Sequence, residues 1–168
     1  IKAVEKFEDP DIKYNDMIVQ HRIINKISGD EEVVRAYLLS KLTNELGYKL
    51  ENIELEKEYD IGRPKVNKPR IDVIVRDKDN DAFLYIELKS PDEYEKNQDE
   101  IIEKQLFNLA SQEKGQGKKV KYLVLYACDI NDFNEIVDKC MIIDYEKYNN
   151  FEKWKAERVY SEELPIDY

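Results

Sequence analysis

The sequence predicts an α/β fold in which one mixed β-sheet is flanked by helices. An amphipathic helical segment precedes residue 47, and two runs of β-branched and aromatic residues lie between Arg70 and Ser90. A third, fully apolar run near residue 120 is typical of a buried strand. The predicted order of elements, α-β-β-β-α-β, is that of one sheet with helices packed on it.

Composition limits the classes of function. The chain has 168 residues, enough for one domain with a sizeable core. Charged residues make up 38%, above the roughly 25% of typical soluble domains, and the formal net charge is −10. This charge argues against a protein that coats nucleic acid non-specifically. Contact with DNA would need a local basic patch, a bound cation or a partner protein.

The rare residue types exclude further classes. With Cys128, Cys140 and one histidine, His21, the chain cannot form a zinc site of the Cys/His type, and a disulfide framework is not predicted. No apolar run is long enough to span a bilayer and no signal peptide is visible, so we expect a cytoplasmic protein with no membrane contact. Because the first residue is not methionine, we expect the chain to be a piece of a longer polypeptide. We also expect residues 1–168 to form one domain, with a core at about 28–145 on which the N-terminal and C-terminal extensions pack.

The first half of the chain gives three elements. The segment "MIVQHRIINKI", ending at Ile27, fits either a strand or a short helix. The next segment predicts a helix that is capped by Ser28 or Asp30 and ends at Gly47. Its apolar face is formed by Leu38, Leu42 and Leu46, together with either Val34 or Leu39. The alternating segment "NIELEKEYD" predicts a half-exposed strand.

The second half begins with a polar loop, "IGRPKVNKPR", and continues into a β-hairpin with its turn at 77–81. A second helix is predicted from after Pro91 to about Gln112. Its inner side carries Ile101, Ile102, Gln105, Leu106 and Leu109. The run "KVKYLVLYAC" predicts a buried central strand, "NDFNEIVDKC" a helix and "CMIIDY" a short strand. The tail around Trp154 is expected to pack across the core.

Three charged residues interrupt the strands of the hairpin. Because residues i and i+2 of a strand point to one face, Glu87 and Lys89 lie together with Tyr85, and Asp72 lies with Ile74. The opposite face of the first strand carries Ile71, Val73 and Val75. If the two strands are neighbours, two carboxylates and an ammonium group converge in a partly dry place.

Such a pair of carboxylates becomes favourable when a divalent cation lies between them, since they otherwise repel each other. Oxygen ligands without histidine or cysteine suit Mg²⁺ or Mn²⁺. An ion of this kind can polarise a phosphate and lower the pKa of a bound water, while Lys89 orients that water or neutralises the phosphate. The pattern is that of a site for phosphodiester hydrolysis.

A solvated strand face explains the alternating charges equally well on residue types alone, and Glu87 with Lys89 would then be a surface ion pair. One count favours the site. Although the chain is rich in glutamate and lysine, the pattern Glu-x-Lys occurs only at Glu87-Leu88-Lys89, one hairpin after an aspartate flanked by apolar residues.

This arrangement resembles the PD-(D/E)xK nuclease superfamily, and more narrowly the N-terminal nuclease domain of type I restriction enzyme R (HsdR) subunits. The supporting stretches cover about Glu31 to Asp129 in the family's order. They are "EEVVRAYLLSKLTNELGY", "IELEKEYDIGR", "RIDVIV", "YIELKSPDE", "EKQLFNLA" and "KKVKYLVLYACD". The resemblance implies a restriction-endonuclease-like core.

The resemblance also implies roles for individual residues. Asp72 and Glu87 would bind Mg²⁺ or Mn²⁺, with the Leu88 carbonyl as a further ligand, and Lys89 would be the catalytic lysine. An acid on the first helix, Glu32 or else Glu31, would contact the metal through water. The amide of Gln105 would hold the site or the DNA backbone. Two positions depart from the family pattern: Ile71 stands where the superfamily's name has proline, and Leu109 stands where a tyrosine is common.

The function implied is a Mg²⁺-dependent endonuclease acting on double-stranded DNA, the cleavage module of a type I restriction-modification R subunit. Methyltransferase and specificity subunits would be its partners, and ATP would act only through a translocase domain outside this chain. Two alternatives stay open: another nuclease of the same superfamily acting alone or in repair, and a non-catalytic interaction module with the same fold.

Overall fold

The computed structural model describes residues 9–60 and 68–166, and these form an α/β structure as predicted, with a six-stranded mixed sheet between helices. The strands are β1 Val19–Gln20, β2 Ile53–Glu58, β3 Arg70–Arg76, β4 Ala82–Leu88, β5 Val120–Ile130 and β6 Ile136–Asp144. The helices are α1 Asp30–Ser40, α2 Gln98–Ile101, α3 Asn108–Gly115 and α4 Phe151–Glu157. Residues 61–67 of the predicted polar loop lie outside the described residues.

Strand order in the sheet follows the sequence, β1-β2-β3-β4-β5-β6. The pairs β1–β2 and β4–β5 are parallel, and the other three pairs are antiparallel. Parallel neighbours need a crossover connection, which is usually helical. Here α1 supplies the connection from β1 to β2, and the helix at 98–115 supplies the connection from β4 to β5.

One face of the sheet is covered by α1 and the π-helical turn Lys41–Glu45 that continues it, together the 30–45 helix. Its buried stripe of Val34, Leu38, Leu39 and Leu42 confirms the predicted apolar face. Gly47, at φ 80°, ends the helix as predicted, because glycine adopts this left-handed conformation without steric cost. The predicted caps are wrong: Gly29 occupies the N-cap position, without a side-chain hydrogen bond.

The other face is covered by the 98–115 helix, which consists of α2, the π-helical turn Ile102–Phe107 and α3. It begins at Gln98, consistent with the predicted start after Pro91, because residues 91–97 form turns and Asn97 has φ 54°. The fully buried Trp154 of α4 packs in the same cluster, as predicted for the tail. The two faces have separate hydrophobic cores.

Two other predictions meet different outcomes. The N-terminal stretch forms a minimal strand, β1, so the strand alternative is the right one. The helix predicted for "NDFNEIVDKC" is wrong. Residues 131–135 turn the chain, with Asn131 Oδ1 accepting hydrogen bonds from the backbone of Phe133 and Glu135, and β6 then pairs with β5 from Ile136 onward.

Regular alternation in β2 breaks at Glu56, whose φ is 58°. Ile53 and Leu55 pack toward the 30–45 helix, but Tyr59 packs toward the 98–115 helix. Ile71, paired with Lys57 beyond the break, packs on the Tyr59 side, which corrects the prediction that it shares a face with Val73 and Val75. The switch also leaves Glu56 buried, although the pattern predicted it exposed.

Candidate active site

Asp72 and Glu87 meet at one end of the sheet because β3 and β4 are antiparallel neighbours. The register pairs Val73 with Ile86, which places Asp72 beside Glu87 at the next position. Asp72 Oδ2 accepts a hydrogen bond of 2.8 Å from the backbone N–H of Leu88. The N–H and C=O of one strand residue point to the same side, so the Leu88 carbonyl is directed toward this end of β3 as well.

Burial makes the two carboxyl groups hard to ionise together. Glu87 is 5% exposed, and burial followed by the neighbouring charge of Asp72 raises the pKa of Glu87 well above its ordinary value. Burial also raises the pKa of Asp72, against the opposing effects of the Leu88 N–H and the Arg35 guanidinium. Among the described residues, no hydrogen-bond donor reaches the buried Glu87 Oε2.

Lys89 lies next to this pair. Its Nζ is 3.3 Å from Glu87 Oε1, and its side chain is 14% exposed. Burial lowers the pKa of the ammonium group, but the carboxylates of Glu87, Glu31 and Asp72 outweigh it and raise the pKa above its ordinary value. Lys89 is therefore a cation at neutral pH, suited to neutralising an anion or orienting a water rather than to accepting a proton.

The two acids at the start of α1 take different positions. Both oxygens of Glu32 are in use: Oε1 accepts from the Tyr14 hydroxyl, and Oε2 accepts from Arg35 Nη1 at 2.9 Å. Glu31 instead faces the charges of the site. Partial desolvation and the Asp72 carboxylate raise its pKa, and Lys89 opposes this. Of the two predicted acids, Glu31 has the freer carboxylate.

Two cavities open at the site, one lined by Asp72 and the other by Lys89, and Glu93 lines both. The larger, of about 600 Å³, reaches from Asp72 past Arg35 to the segment at 22–29. The smaller, of about 370 Å³, is lined by Lys89 and by Gln105 on the π-helical turn. Gln105 Oε1 is buried and, within the part of the chain that the structure describes, accepts no hydrogen bond. The structure thus brings Gln105 to the same opening as Lys89.

The donor set fits a hard divalent cation. Asp72, Glu87 and the Leu88 carbonyl offer oxygen ligands, and the unpartnered Glu87 Oε2 is an acceptor that an ion would satisfy. Among residues 9–60 and 68–166, no group of three histidine, cysteine or acidic side chains is arranged to hold an ion by side chains alone. Water and the backbone carbonyl would have to complete the coordination, which suits Mg²⁺ because it retains several waters.

Two buried residues of the site were not predicted. Arg35, 5% exposed, donates from Nη2 to Glu56 Oε1 and contacts Asp72 Oδ1 at 3.4 Å. Its position on the inner face of the helix, beside Val34 and Leu38, was the available signal, because a charge there is uncommon unless it is paired. Nothing in the local pattern of β2 indicated that Glu56 would turn inward.

No helix among the described residues has the length and apolar character needed to cross a membrane.

Comparison with curated proteins finds no match. A protein-family model matches residues 30–125, more than half of the chain, and its description is the type I restriction enzyme R protein N terminus (HSDR_N). The match spans the first helix, the carboxylate-bearing hairpin, the 98–115 helix and most of β5. The chain therefore belongs to the family of type I restriction enzyme R protein N termini.

Proposed function

We propose that this chain is a Mg²⁺-dependent DNA endonuclease domain with a restriction-endonuclease-like core, the cleavage module of a type I restriction-modification R subunit. The observation that carries the proposal is the meeting of Asp72, Glu87 and Lys89 at one end of the sheet, in a chain of this family. A solvated strand face would leave these charges in water. Instead, Glu87 is buried and Lys89 is mostly so.

Asp72, Glu87 and the Leu88 carbonyl would hold the ion, and Glu31 would contact it through water. The bound ion supplies a polarised phosphate and a more acidic water. Lys89 stays protonated beside Glu87 and places its positive charge next to the reacting phosphate, where negative charge develops. Gln105 lines the same opening as Lys89, and its buried Oε1 accepts no hydrogen bond from the described residues, so its side-chain amide would be available to hold the site or the backbone of the substrate.

The charge of the chain supports delivery of the DNA by partners. A net charge of −10 gives little non-specific attraction for a polyanion, since non-specific DNA binding depends on neutralising phosphates with lysine and arginine. In a restriction complex, methyltransferase and specificity subunits would bring double-stranded DNA to this domain, and an ATP-dependent translocase would move it.

Plasmid cleavage with Mg²⁺ or Mn²⁺ tests the proposal. We expect metal-dependent nicking by the wild type, and a loss of at least about 100-fold in Lys89→Met and in Asp72→Asn, because electrostatic groups at a reacting phosphate commonly contribute that much. Lys153→Met, an exposed lysine on α4, is the matched control and should cleave like the wild type. Full activity in Lys89→Met, or no metal-dependent cleavage by the wild type, would contradict the proposal.

A further inference from the structure

Arg35 places a fixed positive charge among the carboxylates of the site. Its Nη1 donates to Glu32 Oε2 at 2.9 Å, while Nη2 donates to Glu56 Oε1 and contacts Asp72 Oδ1 at 3.4 Å. A guanidinium group does not lose its proton in a protein, so this charge is permanent. An expected metal ligand, Asp72, is thus in contact with a buried cation before any ion binds.

Holding Glu56 against Arg35 is energetically unfavourable for the folded protein. Glu56 has a φ of 58°, and a non-glycine residue in this left-handed conformation is unfavourable and persists where its surroundings hold it. A buried ion pair is also no better for stability than well-packed apolar side chains. Stability alone therefore does not explain the pair of Arg35 and Glu56, whereas a requirement for a particular charge at the site does.

Acidic groups outnumber the basic ones at this end of the sheet. The carboxylates that contact the site or line its larger cavity are Asp30, Glu31, Glu32, Glu56, Asp72, Glu87 and Glu93. Among the described residues, the cations counted in the same way are Arg22, Lys26, Arg35 and Lys89; of these, Arg35 contacts Asp72 and Lys89 contacts Glu87. Excess negative charge favours a divalent cation but repels a phosphodiester, so the two ligands of the proposed reaction place opposite demands on the site.

We propose that Arg35 is a positioning residue that acts through Asp72 and sets the charge of the site at a value that admits both the ion and the DNA phosphate. This inference rests on the proposed nuclease function. Arg35 weakens the binding of a divalent cation by repulsion and lowers the repulsion felt by DNA. The Leu88 N–H donates to Asp72 Oδ2 at 2.8 Å and does not depend on Arg35, so we expect the change in charge, not a change in the orientation of Asp72, to decide the outcome.

Calorimetric titration with Mn²⁺ and plasmid cleavage kinetics, read together on a set of charge variants, test this role. In Arg35→Gln the site loses one positive charge. The Kd for Mn²⁺ should therefore fall by about tenfold, while the KM for plasmid DNA should rise. In Glu56→Gln the Kd should rise by a similar factor. The double variant Arg35→Gln/Glu56→Gln restores the net charge of the site, so its Kd for Mn²⁺ should be close to that of the wild type. Arg35→Lys keeps the positive charge and should stay close to the wild type in both Kd and KM.

Misfolding would lose metal and DNA binding together, whereas the role proposed here moves them in opposite directions. Circular dichroism and thermal melting identify the variants that fold. If Arg35→Gln does not fold, the comparison is made between Glu56→Gln and the double variant. The double variant should then bind Mn²⁺ about tenfold more tightly than Glu56→Gln does. An equal Kd in that pair, or an unchanged Kd in folded Arg35→Gln, would overturn the role of Arg35. Absence of Mn²⁺ binding by the wild type would instead remove the proposed metal site itself.

Discussion

Glu87 is the residue at which function and stability conflict most directly. Its carboxyl group is 5% exposed, lies beside Asp72 and has one oxygen without a hydrogen-bond donor among the described residues. Without an ion, this placement is unfavourable, because burial and a like charge both disfavour the carboxylate. Residues that lower stability in this way are commonly found at functional sites, where a ligand removes the cost.

The substitution Glu87→Gln should therefore stabilise the protein when a chelator is present. We expect a gain of about 1–2 kcal/mol at neutral pH, or roughly 2–8 °C in Tm for a chain of this size, since the repulsion of Asp72 is removed. Thermal melting in EDTA measures it. The exposed Glu146→Gln serves as the control and should leave Tm unchanged.

Mn²⁺ should reverse the order of thermal stability, so that the wild type melts at a higher temperature than Glu87→Gln. Binding to the folded state alone raises the Tm of the wild type, and Glu87→Gln should lose most of this effect because one ligand is gone. A wild type that Mn²⁺ does not stabilise, combined with a Glu87→Gln variant less stable than the wild type in EDTA, would show that Glu87 is held by the fold for another reason.

At the scale of elements, the β3–β4 hairpin presents the carboxylates, and a buried charge network fixes it to the layer behind. Glu113 of α3, 0% exposed, accepts from Lys57 at 2.7 Å, from the Tyr59 hydroxyl and from Arg76. Arg76 also donates to Glu54 at 2.9 Å. This network joins β2 and β3 to the 98–115 helix, and every donor to Glu113 comes from a strand or from the segment just after one.

The network gives stability a predictable dependence on pH. Burial alone would raise the pKa of Glu113, but the hydrogen bonds from Lys57, Tyr59 and Arg76 outweigh it and hold the pKa below its ordinary value of 4.5. A carboxyl group with a lowered folded-state pKa contributes stability above its unfolded pKa, and this is lost as pH falls through the folded pKa.

We therefore expect Glu113→Gln to lower the free energy of unfolding by about 2–4 kcal/mol at pH 7, and by less as the pH falls below about 4.5. Urea unfolding at several pH values measures the difference from the wild type. Glu100→Gln, an exposed helix residue paired with Lys104, should change stability by less than about 0.5 kcal/mol at any of them. A loss in Glu113→Gln that is the same at pH 7 and pH 3.5 would contradict the charged role of this residue.

Elements with strong local patterns were predictable from the sequence, and elements decided by pairing were not. The spacing of Leu38 and Leu42 predicted the first helix, and the turn at 77–81 predicted the hairpin. The acid-rich segment 131–140 has a local composition typical of a helix, but antiparallel pairing with β5 makes its second half part of β6. Strand alternation was enough to bring Asp72, Glu87 and Lys89 together. It could not predict Glu56, because a single residue with positive φ reverses which side chains face inward.

At the scale of the molecule, the site lies where both helical layers reach the same end of the sheet. The first turn of α1 contributes Glu31, and the π-helical turn of the other layer contributes Gln105. The cavity lined by Asp72 and the cavity lined by Lys89 are thus walled by opposite layers. A substrate reaching Lys89 would contact both layers, which makes the relative placement of the layers part of the proposed chemistry.

The most direct test of the metal site is an anomalous difference map from a crystal of the protein soaked in Mn²⁺. We predict one peak bounded by the carboxylates of Asp72 and Glu87 and by the Leu88 carbonyl, absent from crystals of Asp72→Asn. A peak elsewhere on the protein, or no peak at millimolar Mn²⁺ in crystals whose solvent channels reach this end of the sheet, would contradict a metal-dependent nuclease built on Asp72 and Glu87.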